Sequence, residues 1–394
     1  MHWGEKERVY VKEHQSDDVA KLLLGAHRHP DLDIPFLVEQ IEARRQIRDK
    51  LPSWYANDAL WFPAKIAAEQ CSSEQTARYK QRLVSADDRL CDLTGGLGID
   101  SYFFSRKVQQ VVYVERFPAY CEAARHNFHM LGARNITVVN ADATQCLAQL
   151  PEVDVCYIDP ARRGSGNRRV YALSDCEPDL PALLPALWQK APRVLAKLSP
   201  MADISQTRTL LPGTVAIHVV AVRNECKELL FDVRREGEAE PVLHCVHFST
   251  NGEELFSFTQ ADERNAALRL APAVGTYLYE PNAALLKAGA FKMVAVRLGV
   301  EKLHVSSHLY TSGERVKDFP GRTFQVEQVV PFSSKIGKTL HREIPRAHIA
   351  VRNFPLSVEE LRKRTKIAEG GDLYLFATTL RDGEKVLIVG RKPA

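Results

Sequence analysis

The chain has 394 residues, 45% hydrophobic and 26% charged, with a net charge of +4. That is more chain than one compact core holds, so roughly two to four soluble globular domains are expected. The charged N-terminus lacks the apolar core of a signal peptide, and the best apolar run, Thr214–Val222, is too short to span a bilayer. The 8 cysteines are never closer than 10 residues, which excludes C-x-x-C metal or redox spacing and points to reduced thiols in a cytoplasmic protein. Charge is uneven: residues 321–394 carry 14 Lys/Arg against 8 Asp/Glu, so the basic excess lies at the C-terminal end.

In chain order, residues 1–85 read as helical. Asp17–Arg28 and Pro35–Lys50 have apolar residues at helical spacing, interrupted at Pro30 and Pro52. Leu60-Trp61-Phe62-Pro63 is an aromatic patch of the kind that packs a domain interface. A helix begins at Ser73, with Ser72 or Ser73 as N-cap and Glu74 in its first turn. From residue 88 to about 236 short apolar strands alternate with helices. The strands are Arg89–Leu93, Val111–Val114, Ile136–Val139, Val153–Ile158, Arg193–Leu198, Val215–Val222 and Leu229–Val233. Such alternation predicts a parallel sheet covered on both faces. The last two strands, joined by Arg223-Asn224-Glu225-Cys226, are too close for a helical crossover and predict an antiparallel hairpin. Val242–Phe248 is a further strand, and a possible strand and helix follow it. Tyr277–Lys287 reads as a turn into a helix. Phe324–Val330, Ala347–Asn353, Leu373–Thr379 and Val386–Gly390 read as strands, and Ser357–Ile367 as a helix capped by Ser357. Gly370-Gly371-Asp372 reads as a helix C-cap.

Four acidic residues fall at the ends of successive predicted strands. Asp92 precedes the turn Thr94-Gly95-Gly96-Leu97-Gly98. Glu115 closes the next strand 23 residues later, Asp142 follows the third, and Asp159-Pro160-Ala161-Arg162 ends the fourth. In a doubly wound sheet these positions border one crevice. Glycines let a ligand approach the backbone N–H groups. Glu115 is spaced to accept from both hydroxyls of a ribose. Asp142 is placed to receive the amino group of an adenine, with Ala143 donating from its N–H, and Asp92 to accept from a ligand ammonium through water or nearby N–H groups. Ribose, adenine and an amino acid together describe S-adenosylmethionine (SAM). The rival is NAD, whose G-x-G-x-x-G would run Gly96, Gly98, Ser101; serine fails at the last position, where close helix packing is required.

The run Asp92-Leu93-Thr94-Gly95-Gly96-Leu97-Gly98, with Glu115, Ala141-Asp142 and Asp159-Pro160, resembles the motifs of class I SAM-dependent methyltransferases over residues 85–236. D-P-A-R-R, A-L-S-D-C-E-P-D-L, K-L-S-P-M-A-D-I, N-E-C-K-E-L-L, Y-L-Y-E-P-N-A-A-L-L-K-A-G-A and E-G-G-D-L-Y-L-F-A-T-T are similar to a bacterial methyltransferase family with a THUMP-like C-terminal domain. The resemblance implies an α/β protein with a Rossmann-like sheet, parallel with a terminal antiparallel hairpin. It implies a helical N-terminal region (1–85), a class I SAM-dependent methyltransferase domain (86–250), a small ferredoxin-like α+β segment (271–320) and a THUMP-like domain (321–394). SAM would be held by Asp92, Thr94, Gly95, Gly96, Gly98, Glu115, Asp142 and Ala143.

Asp159 and Pro160 are the candidate catalytic residues. They sit where enzymes of this class that act on base amines carry D-P-P-Y-like motifs, whose Asp and first Pro carbonyl accept from the exocyclic amine. Ala161 and Arg162 replace the second proline and the aromatic ring, which leaves base stacking open. No cysteine stands at the end of the fourth or fifth strand, where Ser199 follows instead, so carbon-5 methylation is not expected. Arg162, Arg163, Arg168 and Arg169 bracket a glycine-rich loop suited to phosphate contacts. Arg362, Lys363, Arg364 and Lys366 lie on the C-terminal helix; with the local basic excess and the RNA-binding habit of THUMP domains they favour RNA, tRNA or rRNA, as partner. No metal is expected, since His2, His14, His341 and His348 lack ligand spacing. Two readings stay open beside RNA methylation: a small-molecule or protein acceptor, and a SAM-binding RNA-binding module without turnover. Oligomeric state is not legible.

Overall fold

A computed structural model describes residues 3–162, 176–333 and 336–393. It divides into two compact units, residues 1–215 with 230–239, and residues 216–229 with 240–394.

The first unit opens with short helices: α1 (Glu5–Glu13), α2 (Val19–Leu24), α3 (Ile34–Ile47), α4 (Pro52–Tyr55), α5 (Lys65–Gln70) and α6 (Glu74–Arg82). Asp18, Asp33 and Ser73 cap α2, α3 and α6 by accepting first-turn N–H groups. The helix expected over 17–28 is shorter, because Gly25 ends it after one and a half turns. The aromatic patch is interior: Leu60, Trp61 and Phe62 are buried. Gln40 of α3 exchanges two hydrogen bonds with the Phe62 backbone, at 2.7 and 2.8 Å. Asn127 does the same with Trp61, at 3.1 and 2.8 Å.

A large sheet follows, built from β1 (Arg89–Asp92), β2 (Gln110–Glu115), β3 (Ile136–Asn140), β4 (Val155–Ile158), β5 (Arg193–Leu198), β6 (Thr214–Val222), β7 (Glu225–Arg234), β8 (Val242–Ser249) and β9 (Gly252–Thr259), in the order β9-β8-β6-β7-β5-β4-β1-β2-β3. Helices α7 (Ile99–Ser105), α8 (Pro118–Met130), α9 (Ala143–Cys146), α10 (Leu180–Leu187) and α11 (Ile204–Leu210) fill the crossovers. The pairs β1–β2, β1–β4, β2–β3 and β4–β5 are parallel, so their carboxyl ends share one edge. Strands β6 and β7 are neighbours joined by a two-residue turn with Arg223 and Asn224 at φ +50° and +62°, the left-handed pair of a type I′ hairpin. The sheet does not end there, as the sequence suggested: β8 runs parallel to β6 and β9 antiparallel to β8.

In the second unit, β10 (Tyr277–Pro281), β11 (Glu301–Lys302), β12 (Tyr310–Ser312), β13 (Gly321–Pro331), β14 (His348–Arg352), β15 (Leu373–Thr379) and β16 (Lys385–Arg391) form one sheet, ordered β11-β12-β10-β13-β16-β15-β14. Residues 277–281 are therefore a strand rather than a turn. Leu278 and Tyr279 are buried, and β10 lies between two antiparallel partners that its Tyr-Leu-Tyr run packs against. Helix α12 (Gln260–Asn265) precedes β10, and Asn282 caps α13 (Ala283–Ala288), which leads to α14 (Phe291–Leu298). Helix α15 (Ile336–Glu343) precedes β14, and α16 (Val358–Thr365) crosses over between the parallel strands β14 and β15. Ser357 and Glu360 form a reciprocal capping box at its start. Its C-cap is Lys366 in the left-handed conformation, not the later Gly370-Gly371 pair. No helix among the described residues is long and apolar enough to cross a membrane.

Candidate functional site

The first half of the site is the turn between β1 and α7. Asp92 is only 1% exposed. One of its oxygens accepts the Thr94 N–H at 3.1 Å and the other the Ser101 hydroxyl at 2.6 Å. Burial pushes its carboxyl up to about 7, against the pull of those two bonds. Asp92 thus holds the glycine turn onto α7. Ser101, the residue that spoils a dinucleotide fingerprint, is the group that makes this possible.

The glycines have separate reasons to be glycine. A Cβ on Gly95 would lie 2.2 Å from the Tyr113 ring, and one on Gly98, at φ +82°, would lie 2.7 Å from Phe128. Gly96, at φ +52°, has open space on its Cβ side, with nothing nearer than 3.8 Å. Its N–H donates to Glu115 Oε2 at 2.9 Å, and its carbonyl accepts from the Tyr113 hydroxyl at 2.6 Å. Glu115 Oε1 accepts the Phe117 N–H at 2.9 Å. Each oxygen of this half-buried carboxylate spends one lone pair on backbone and keeps another, which suits a ligand that offers two neighbouring hydroxyls.

The next strand end carries Asp142, the N-cap of α9. It takes the Thr144 N–H at 2.9 Å and the Thr144 hydroxyl at 2.5 Å, and the hydroxyl bond holds its carboxyl below the ordinary value. The Ala143 N–H is among the first-turn donors that no carbonyl of its own helix takes. Register fixes the spacing: Glu115 stands opposite Asn140, whose side chain donates to the Glu115 carbonyl at 2.9 Å.

The second half is built around Asp159, just past β4. Its N–H donates to Thr94 Oγ1 at 2.7 Å, which ties it to the glycine turn. Its carboxylate pairs with Lys197 of β5. Behind them lies a cluster that sequence reading did not assemble. Asp100 of α7 pairs with Lys80 of α6 at 3.0 Å and accepts from Ser72 at 2.8 Å and from the Tyr157 hydroxyl at 2.7 Å. Burial alone would raise the Asp100 carboxyl, but Lys80 and Lys197 draw it below its ordinary value. Charges of alternating sign, Lys80, Asp100, Lys197 and Asp159, run from the helical region to the strand end. Lys197 had one faint signal in the sequence, a cation interrupting an apolar strand; Lys80 had none.

Pro160 follows Asp159 and is buried, and Ala161 and Arg162 form a two-residue ladder with Cys176 and Glu177. Glu177 pairs with Arg116, the residue after Glu115, at 2.8 Å. Arg163, Arg168 and Arg169 lie outside the described residues. Three thiols, Cys156, Cys71 and Cys91, are poor nucleophiles, because burial pushes Cys156 up to about 12 and raises Cys71 and Cys91 as well. Among the described residues no group of His, Cys, Asp and Glu is arranged to hold a metal ion.

In the second unit the basic residues of α16 part company. Arg362 donates to the Ile367 carbonyl at 3.2 Å and pairs with Glu369, so it closes its own helix end. Lys363, Arg364 and Lys366 are exposed.

Residues 277–320 match a ferredoxin-like domain family, and residues 321–392 a THUMP domain-like family. The crystal structure of a candidate methyltransferase from Porphyromonas gingivalis W83 aligns over 100% of both chains, with 39% identity and a TM-score of 0.90. A precorrin-6y C5,15-methyltransferase from Geobacter metallireducens GS-15 covers 36% of this chain and 69% of its own, at 22% identity and a TM-score of 0.28. A methyltransferase from Geobacter sulfurreducens covers 43% and 84%, at 17% identity and a TM-score of 0.33. At such scores the last two add no weight. No curated protein matches the chain.

Proposed function

The chain belongs to the class I methyltransferase family whose members end in ferredoxin-like and THUMP-like domains, and on that premise we propose that it uses SAM to methylate a base amine of RNA, tRNA or rRNA. The observation that carries the cofactor reading is the coupling of Glu115 to the Gly96 N–H across the ends of two parallel strands. It leaves a half-exposed carboxylate beside an open backbone turn, which fits a ribose. Glu115 would take the ribose hydroxyls, Asp142 and the Ala143 N–H the adenine, and the Thr94–Gly98 turn the amino-acid end. Asp92 acts one step back, holding that turn in place.

Bound SAM supplies a methyl group on a sulfonium, ready for in-line attack. The chain's own work is to hold and orient the acceptor. Asp159 accepts an N–H of the amine, and the Pro160 carbonyl is available for a second, so the nitrogen lone pair is aimed without a strong base. The thiols raised by burial argue against attack through cysteine. The THUMP domain-like match and the exposed Lys363, Arg364 and Lys366 support RNA as the acceptor. Tritiated methyl transfer from SAM to total RNA and, separately, to total protein tests this. Label is expected in RNA; label in protein alone, or in neither, would contradict it.

A further inference from the structure

We propose that Lys197 and Asp159 form one recognition pair, which reads an amine together with the ring nitrogen next to it. The inference rests on the methyltransferase reading above and narrows its acceptor.

The pair is built rather than incidental. The Asp159 side chain is 36% exposed and that of Lys197 is 13% exposed, so the carboxylate is the more open of the two paired groups and the ammonium the more enclosed. The backbone on one side is fixed by Thr94. On the other side Lys197 is near enough to draw down the carboxyl of Asp100, which is itself paired with Lys80, a side chain with 0% exposure. The two charges are thus presented in a set order, an acceptor beside a donor.

Chemistry selects what can meet them. An ionised carboxylate only accepts, and an ammonium only donates. The complement is an N–H flanked by an unprotonated nitrogen, the amidine edge. Adenine offers it at N6 and N1, cytosine at N4 and N3, and guanine at N2 and N3. Uracil has no amine. A lysine or polyamine would bring a second cation against Lys197, and a carboxylate acceptor would meet the charge of Asp159. In the transfer the nitrogen lone pair forms the new N–C bond while the S–C bond breaks with its pair on sulfur. The surplus proton of the nitrogen passes to Asp159 and on to solvent. Lys197 is a positioning and specificity residue: it holds the ring nitrogen and keeps the carboxylate in register.

The test has two arms. Labelled total RNA, digested to nucleosides, is expected to carry the methyl in N6-methyladenosine, N4-methylcytidine or N2-methylguanosine; label in a 5-methylpyrimidine or a 2′-O-methyl ribose would overturn the pair. In calorimetry on protein saturated with S-adenosylhomocysteine, at least one of AMP, CMP and GMP should bind about tenfold tighter than UMP. Lys197→Met should bring that ratio near one and lower kcat/KM about tenfold to a hundredfold, with Lys197→Arg recovering part of both. Unchanged affinity of each variant for S-adenosylhomocysteine is the check on folding. Equal or absent binding of all four nucleotides by the wild type would overturn the pair even where RNA is methylated. Absence of label from RNA would instead remove the reading it rests on, and the pair with it.

Discussion

Around the glycine turn, carboxylates are met largely by groups close in sequence, Asp92 by Thr94 and Ser101, Glu115 by Phe117 and Asp142 by Thr144, while the Gly96 N–H reaches Glu115 from the neighbouring strand end. Around Asp159 they are met by distant side chains, from Lys80 on the helical region to Lys197 on β5. The first arrangement is backbone-rich and needs only two neighbouring strand ends and the turns that follow them. The second exists only when α6, α7, β4 and β5 are all packed. On the function proposed above, a cofactor common to a whole fold class would be served by the local device, and the acceptor, which varies from enzyme to enzyme, by the assembled one. The same division separates what sequence spacing can reveal from what it cannot.

If that contrast is sound, its largest effect on stability lies in the assembled half. Lys80→Met would leave Asp100 buried without its fully enclosed partner, and should cost about 3–5 kcal/mol in urea unfolding. A loss below about 1 kcal/mol would mean the charge series is not holding the elements together. In the local half, Glu115→Ala should weaken S-adenosylhomocysteine binding about tenfold to a hundredfold in calorimetry, with little change in the unfolding midpoint. Unchanged affinity would mean the ribose is held elsewhere.

Asp92 sharpens the comparison through pH. Burial raises its carboxyl to about 7, so the folded protein keeps a proton that the unfolded chain releases near its ordinary value of about 4. Its contribution is full below about pH 4, declines as pH rises, and is gone above about pH 7. The stability of the wild type relative to Asp92→Asn, followed by denaturation from pH 4.5 to 7.5, should therefore fall with rising pH; a flat difference would contradict the assignment. The smallest effects belong to the second unit. Lys363→Ala and Arg364→Ala should each flatten the salt dependence of RNA binding by about one in logarithmic slope. Arg362→Ala should mainly loosen the end of α16, since its guanidinium is engaged there.

The parallel strands, the hairpin and the order of the four acidic strand ends were legible because short apolar runs and glycine turns carry their own periodicity. Tyr277–Pro281 was misread because its Glu-Pro-Asn ending looks like a helix start. Asn282 does cap a helix, but the preceding residues gain more by pairing between β12 and β13. The strand at Val242–Phe248 was legible, but not its place in the large sheet, because Ser249-Thr250-Asn251-Gly252 marks a turn without saying that β8 returns to β6. Lys80 and Asp100 were unreadable for a deeper reason: a buried cation on a polar helix has the same spacing as a solvated one, and only packing reveals the partner.

The most direct test of the account is Asp159→Ala, assayed on one preparation for S-adenosylhomocysteine affinity and for tritiated methyl transfer to total RNA. Affinity within about twofold of the wild type, with transfer reduced to background, is the predicted result. Transfer at the wild-type rate would contradict the claim that Asp159 presents the acceptor.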